Sequence, residues 1–265
     1  MPSHFTSSGP IALSLYIIWT TVTYALEGRI HTLLRPEAVV NRILYILIAN
    51  FLIGIVTGAV IIRITILSGF LKAWQAGFRK WPRAILASIL TGIVGFGIYI
   101  LQGPPSLNPL VIINAFLQIL PVSIAEIVVC WAVVGTTFES LMKRKGQVIS
   151  LASGILAASI LFGLYHIAHS PPFNQAHMIL FLTFIGLITS LVYFFVRDIY
   201  ATIVFHNFFA VFGVLQALDE SGKLQNYLHP LYPVMITGII AFILLMIMDR
   251  FFIRKISIPE KSTQK

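Results

Sequence analysis

Glu126, His166 and His206 are ionisable side chains set deep within apolar segments, PVSIAEIVVCWAVVG, ILFGLYHIAH and YATIVFHNFFAVFG respectively. A charge at mid-membrane depth costs about 2.5–3.5 kcal/mol on the mildest scale, so such residues face a protein interior or a wet cavity and are candidates for function. One acid and two imidazoles from three segments can build a proton-transfer site. With a water in the fourth position they also suit a catalytic zinc, Zn2+. Hydrolysis at such a site would need an activated water, a base for its proton and donors for the developing oxyanion. A carboxyl in an apolar pocket is shifted toward the operating range of a general base.

These residues need a scaffold, and the composition says which kind. The 265-residue chain is 58% hydrophobic and 10% charged, with a mean hydropathy of +0.92. A soluble domain of that balance could not cover its surface with polar groups, so the expectation is an all-α, polytopic transmembrane helical bundle. It forms one integral membrane domain over residues 1–265. Eight spans are expected, at about Ile11–Leu26, Ile43–Leu67, Ala84–Leu101, Val111–Val134, Val148–Ala168, Met178–Val196, Tyr200–Leu218 and Leu231–Met248. The runs are continuous rather than alternating, which excludes a β-barrel. No internal repeat is evident.

The net charge of +9 sits in short loops and the tail, where it acts as an orientation signal and a contact for anionic lipid. Lys72, Arg79, Lys80, Arg83, Lys143, Arg144, Lys145, Arg197 and the basic tail through Lys265 fall on one side. Only Arg29, Arg35, Arg42 and Lys223 fall on the other, and Arg63 lies within a span. Both termini are therefore expected in the cytoplasm. No basic patch with interleaved aromatics suggests nucleic acid. The partners are the lipid bilayer and a membrane-associated protein or peptide, and the expected location is the cell membrane. The single cysteine, Cys130, excludes an intrachain disulfide and reads as a packing residue. MPSHFTSSGP has no basic region typical of a cleaved signal, and STQK has no prenylation box.

The run FGLYH, Phe162 to His166, together with Glu126 before it and His206 after it, resembles the CPBP (CAAX protease and bacteriocin-processing, Abi) family of intramembrane proteases. That family carries a Glu-Glu-x-x-x-Arg motif, then FxxxH, then a later helix bearing His, often with Asn four residues on. The order here spans a catalytic core at about 110–213. The first and last motifs are degenerate: Ile127 or Ala125 stands for the second glutamate, Trp131 or Cys130 for the arginine, and Ala210 for the Asn. The resemblance implies an endopeptidase in which Glu126 activates water, His166 shares that water or binds a metal, and His206 stabilises the oxyanion. Asn207 is taken here as a substitute for the missing Asn. The metal candidates are Glu126, His166 and His206; the zincin motif HExxH is absent, and a metal-independent glutamate mechanism is the other option the resemblance leaves.

Two other functions fit the same residues. A scaffold of protease architecture that only binds a membrane partner is favoured by the lost glutamate and arginine, and a proton-coupled transporter would use the ionisable residues as a relay. Several residues have plain structural readings. His169 shares a helix face with His166 but lies near Pro171, which suggests an interfacial position. His4, His31, His177 and His229 read as loop residues, and Asp198 beside Arg197 reads as a boundary pair. Pro121, one turn before Glu126, either kinks its helix beside the site or is simply tolerated. On these boundaries His166 and His206 differ in depth by about 10 Å at 1.5 Å per residue.

Overall fold

A computed structural model of the chain describes residues 8–32 and 34–254. Eight helices are long and apolar enough to cross a membrane: α1 Ser8–Gly28, α2 Val39–Leu67, α3 Trp81–Leu101, α4 Pro109–Leu141, α5 Gln147–Ala168, α6 Ala176–Val196, α7 Ile199–Glu220 and α8 Tyr232–Ile253. Among the described residues there is no strand. The all-helical class and the number of spans match the sequence reading, since long apolar runs can satisfy their backbone in lipid only as helices. His4 and the rest of the opening segment, Lys255 and the ISIPEKSTQK tail with Lys261 and Lys265 lie outside the described residues.

The helix α4 is the central pillar. Every residue from 118 to 137 is buried, which explains why its sequence is apolar on all faces rather than on one stripe. By contrast, α3 is peripheral, and Ile85, Leu86, Ile93 and Leu101 are exposed on it as a lipid-facing surface. Two irregularities shape α4. Pro121 lies inside the helix and offers no N–H to the carbonyl of Leu117. In α8, Gly238 packs directly over that carbonyl, where a Cβ would overlap the oxygen. After Glu126 the winding loosens to π-helical turns over Ile127–Gly135, a form that recurs beside functional sites.

The turn between α6 and α7 is tucked into the bundle. Asp198 is fully buried and caps α7 by accepting from the Ala201 amide at 3.1 Å; burial raises its carboxyl above the ordinary range. The Ile199 amide donates to Gly77 O at 2.9 Å, and Leu71, Ala76 and Phe78 of that inner loop are buried too. So α7 starts above a plug of loop rather than at the edge of the bundle. Arg197 does not pair with Asp198 as the sequence suggested. It adopts a left-handed conformation at φ 54 and forms an ion pair with Glu139 at the end of α4, with one N–H···O at 2.8 Å.

Candidate active site

Glu126 sits mid-way along α4, nearly fully buried. Its Oε2 is 3.0 Å from His206 Nε2 on α7, and its Oε1 is 3.9 Å from His166 Nε2 at the end of α5. The three residues expected from sequence therefore converge on one carboxylate. The apparent depth gap between the two histidines closes because α7 begins inside the bundle, so that His206, about two turns along, reaches the level of Glu126.

Hydrogen bonds from neighbouring elements fix both imidazoles. His166 Nδ1 is 2.9 Å from the Phe162 carbonyl; a carbonyl only accepts, so Nδ1 carries the proton and Nε2 presents its lone pair. His206 is set the other way. Its Nε2–H donates to Glu126, and its Nδ1, 3.1 Å away, accepts from the Thr189 hydroxyl on α6. The Phe162 ring lies edge-on to His166 and His206, with centroids at 4.8 and 5.1 Å. Trp131 and Cys130 are the two candidates for the arginine position, and both are buried. The Trp131 indole packs 5.6 Å from His206 and donates to Ser190 Oγ at 2.8 Å, so neither register puts a cation beside the cluster. Ile127 and Ala125, the two candidates for the second-glutamate position, are both buried in packing.

Asn207 is not part of this cluster. Its amide donates to the Phe116 carbonyl at 3.0 Å and accepts from Ser123 Oγ at 2.8 Å, tying α7 to α4. Successive helical residues point about 100° apart, so the residue after His206 faces another neighbour. In this arrangement Asn207 offers no donor to an oxyanion beside Glu126.

A second carboxylate completes the site, one that the sequence did not single out. Glu27, at the end of α1, is fully buried. It accepts from the Ser170 amide at 2.9 Å and the Ser170 hydroxyl at 2.7 Å, and lies 3.1 Å from His169 Nδ1. Gly28 permits this approach, since a Cβ there would overlap the Ala168 carbonyl. His169 is thus buried rather than interfacial, and its ring stacks on His166 with centroids 5.1 Å apart. The sequence signal was faint: an acid next to a glycine and an arginine at the end of an apolar run, which reads as a membrane edge. His31, His177 and His229 stay outside the cluster, in a turn, the exposed first turn of α6 and a loop.

The cluster forms the floor of a cavity of about 140 Å³. One wall comes from α6, through Phe181, Leu182 and Ile185. The other comes from α7, through Phe209, Phe212 and Gly213. These helices share the tight turn at Arg197-Asp198, and the cavity lies between the ends remote from it. Gln102, Pro172 and Glu220 mark the mouth, on the side opposite the ends of the described chain. The walls between are apolar, with polar groups at the floor and again at the rim, a distribution suited to an extended apolar segment lying over the polar floor.

As for metal ligands, ligand atoms of Glu126, His166 and His169 lie within 4.8 Å of one another. His206, a candidate ligand from sequence, has both ring nitrogens engaged by Thr189 and Glu126. It does not fit that role here.

No curated protein and no solved structure matches the chain. A family model does match residues 133–212: "Type II CAAX prenyl endopeptidase Rce1-like". The matched segment contains FGLYH, His166 and His206, and Glu126 stands just before it. With its eight membrane-length helices, this is an integral membrane protein whose 133–212 segment is similar to the type II CAAX prenyl endopeptidase Rce1-like family.

Proposed function

We propose that the chain is an intramembrane endopeptidase in a cell membrane, with its catalytic core at about 110–213, cutting a peptide bond of a membrane-associated protein or peptide. The observation that carries this reading is the convergence of His206 and His166 on the two oxygens of Glu126, at 3.0 and 3.9 Å, on the floor of an apolar cavity.

In this reading a water lies between Glu126 Oε1 and the His166 lone pair. Glu126 takes its proton as the water oxygen attacks the scissile carbonyl, and a C–O bond forms. Protonation weakens the carboxylate's hold on the His206 N–H, which is then the donor nearest the oxyanion. As the C–N bond breaks, Glu126 returns the proton to the leaving amine. Before that, an extended substrate enters between α6 and α7, with an apolar side chain or a lipid modification against Phe181 and Phe209. If both termini are cytoplasmic, as the basic loops favour, the mouth faces the opposite side.

The decisive variant is Glu126→Gln, which keeps the size and removes the base. Loss of the base is expected to slow cleavage by at least about 100-fold, with unchanged thermal unfolding in detergent. Undiminished cleavage in a folded Glu126→Gln protein would end the assignment. Partner capture surviving both Glu126→Gln and His166→Ala, with no cleavage by the unaltered protein, would favour the scaffold that Trp131 and Ile127 leave open.

A further inference from the structure

We propose that the junction of α1, α2 and α5 behind the cavity floor is a hydrated compartment, in which Trp19, Asn50 and His169 hold ordered waters that reach Glu126 by a route other than the cavity. The compartment is inferred from its own polar groups; the supply role argued for it below rests on the hydrolytic reading above.

Tyr165 is the hub of this junction. Its ring stacks on Trp19 of α1 with centroids 3.8 Å apart and meets the His169 ring at 4.8 Å. Its hydroxyl lies 3.3 Å from Thr23 Oγ1 on α1 and 3.2 Å from the Tyr45 hydroxyl on α2. Asn50 follows Tyr45 by five residues, about one turn of the π-helical stretch Ile46–Thr57, and so shares its face of α2. Trp19, Tyr45, Asn50, Tyr165 and His169 are all buried, and of these His169 alone lines the cavity.

Polar atoms here outnumber their partners. Trp19 Nε1, both amide atoms of Asn50 and both ring nitrogens of His169 make no hydrogen bond among the described residues, despite the nearness of Glu27 to His169 Nδ1. Thr23, Tyr45 and Tyr165 carry three hydroxyl hydrogens and share two contacts, so one hydrogen is left to donate. Buried polar groups are satisfied by protein or by ordered water, and a group left with neither is costly. The set mixes donors and acceptors: an indole N–H, an amide NH2, an amide oxygen and an imidazole that offers one of each when neutral. Water donates two hydrogens and accepts two, which matches that mixture, whereas an ion of either sign matches only half of it.

His169 joins the compartment to the floor. One of its nitrogens lies within 4.8 Å of a Glu126 oxygen, a gap that a single water closes with two hydrogen bonds of about 2.8 Å each. An apolar segment seated between α6 and α7 would expel water from the cavity, yet hydrolysis consumes one water for every bond cut. Waters held behind His169 by buried polar groups lie outside the path of such a segment and stay within reach of Glu126. Trp19 and Asn50 are then positioning residues, acting on water rather than on substrate.

The test is hydroxyl-radical labelling of the full chain in detergent. A short X-ray pulse makes radicals from water, these oxidise side chains next to bound water, and mass spectrometry reads the label residue by residue. Trp19 and Tyr45 should label at a rate near that of the exposed Trp74. Trp131, equally buried but bonded to Ser190 through its N–H, should stay protected. Asn50→Leu removes both amide atoms and fills their space, and should bring Trp19 down to the Trp131 level. Thr23→Val, close in size, should lower the label on Tyr165 and keeps the test open if Asn50→Leu does not fold, which thermal unfolding decides. Trp19 as protected as Trp131 in the unaltered protein would overturn the proposal, as would labelling unchanged in both folded variants. On a membrane-associated peptide that the unaltered protein cleaves, Asn50→Leu should lower kcat several-fold at constant KM. An unchanged kcat with the label lost would overturn the supply role. Labelling as expected with no cleavage of any peptide would instead sink the hydrolytic reading and leave the compartment standing.

Discussion

The Thr189 hydroxyl on α6 lies 3.1 Å from His206 Nδ1 on α7, across the ring from the Nε2 that meets Glu126. The carboxylate only accepts, so Nε2 carries the proton over the 3.0 Å contact, and the Thr189 hydroxyl donates to the Nδ1 left bare. Were the tautomer reversed, two lone-pair atoms would meet across that gap. A side chain on the far side of the ring from the carboxylate thereby helps fix how the imidazole meets it.

Thr189→Val keeps the shape and removes the hydroxyl. Losing one neutral hydrogen bond, about 1 kcal/mol, should lower kcat by roughly fivefold while KM stays constant, because no binding surface changes. Thr189→Ser should restore the rate. A change confined to KM would show that Thr189 shapes the cavity instead.

The spans and the residues that meet at Glu126 were legible because each leaves a local signal: a long apolar run, or a titratable group inside one. What escaped depended on relations between helices. Ending the first span at Leu26 left Glu27 outside it, whereas α1 continues to Gly28 and turns its last residues under the α5–α6 loop. His169 looked interfacial from its distance to Pro171, and only the close packing of Gly28 on Ala168 makes that loop part of the interior. Asn207 is adjacent to His206 in sequence, and for that reason points away from it. Nor does periodicity reveal that α7 starts above a plug of loop, which brings His206 level with Glu126.

The contact of Gly238 with the Leu117 carbonyl predicts a steep size limit. Gly238→Val must push α8 off α4 at the point where Pro121 leaves that carbonyl without a helical donor. Overpacking of this kind costs roughly 1–3 kcal/mol, seen as a lowered Tm in detergent. Gly97 in α3 faces open space and is the control: Gly97→Val should leave the Tm nearly unchanged. Equal Tm values for both variants would contradict the packing.

The Arg197–Glu139 pair closes the end of the bundle away from the cavity mouth, with side-chain exposures of 12% and 14%. Arg197→Ala leaves the Glu139 carboxylate buried without its main partner, which costs about 3 kcal/mol or more. Adding Glu139→Gln to Arg197→Ala should recover part of the lost stability, since no unpaired charge then remains. Additive losses in the two single variants and their combination would mean the residues act independently.

The basic loops lead to the expectation that both termini are cytoplasmic, and Cys130 makes that directly measurable. That cysteine is buried and free, so an impermeant maleimide reports only on cysteines placed elsewhere. Gln225, exposed near the cavity mouth, and Lys145, exposed at the other end of the bundle, mark the two faces. With both termini cytoplasmic, Gln225→Cys should label in intact cells, and Lys145→Cys only after permeabilisation. This places the mouth between α6 and α7 on the non-cytoplasmic side and directs the search for substrates to peptide segments exposed there. The opposite labelling pattern would reverse the bundle and open the cavity to cytoplasmic tails, so the same two cysteines also decide which pool of polypeptides can reach Glu126.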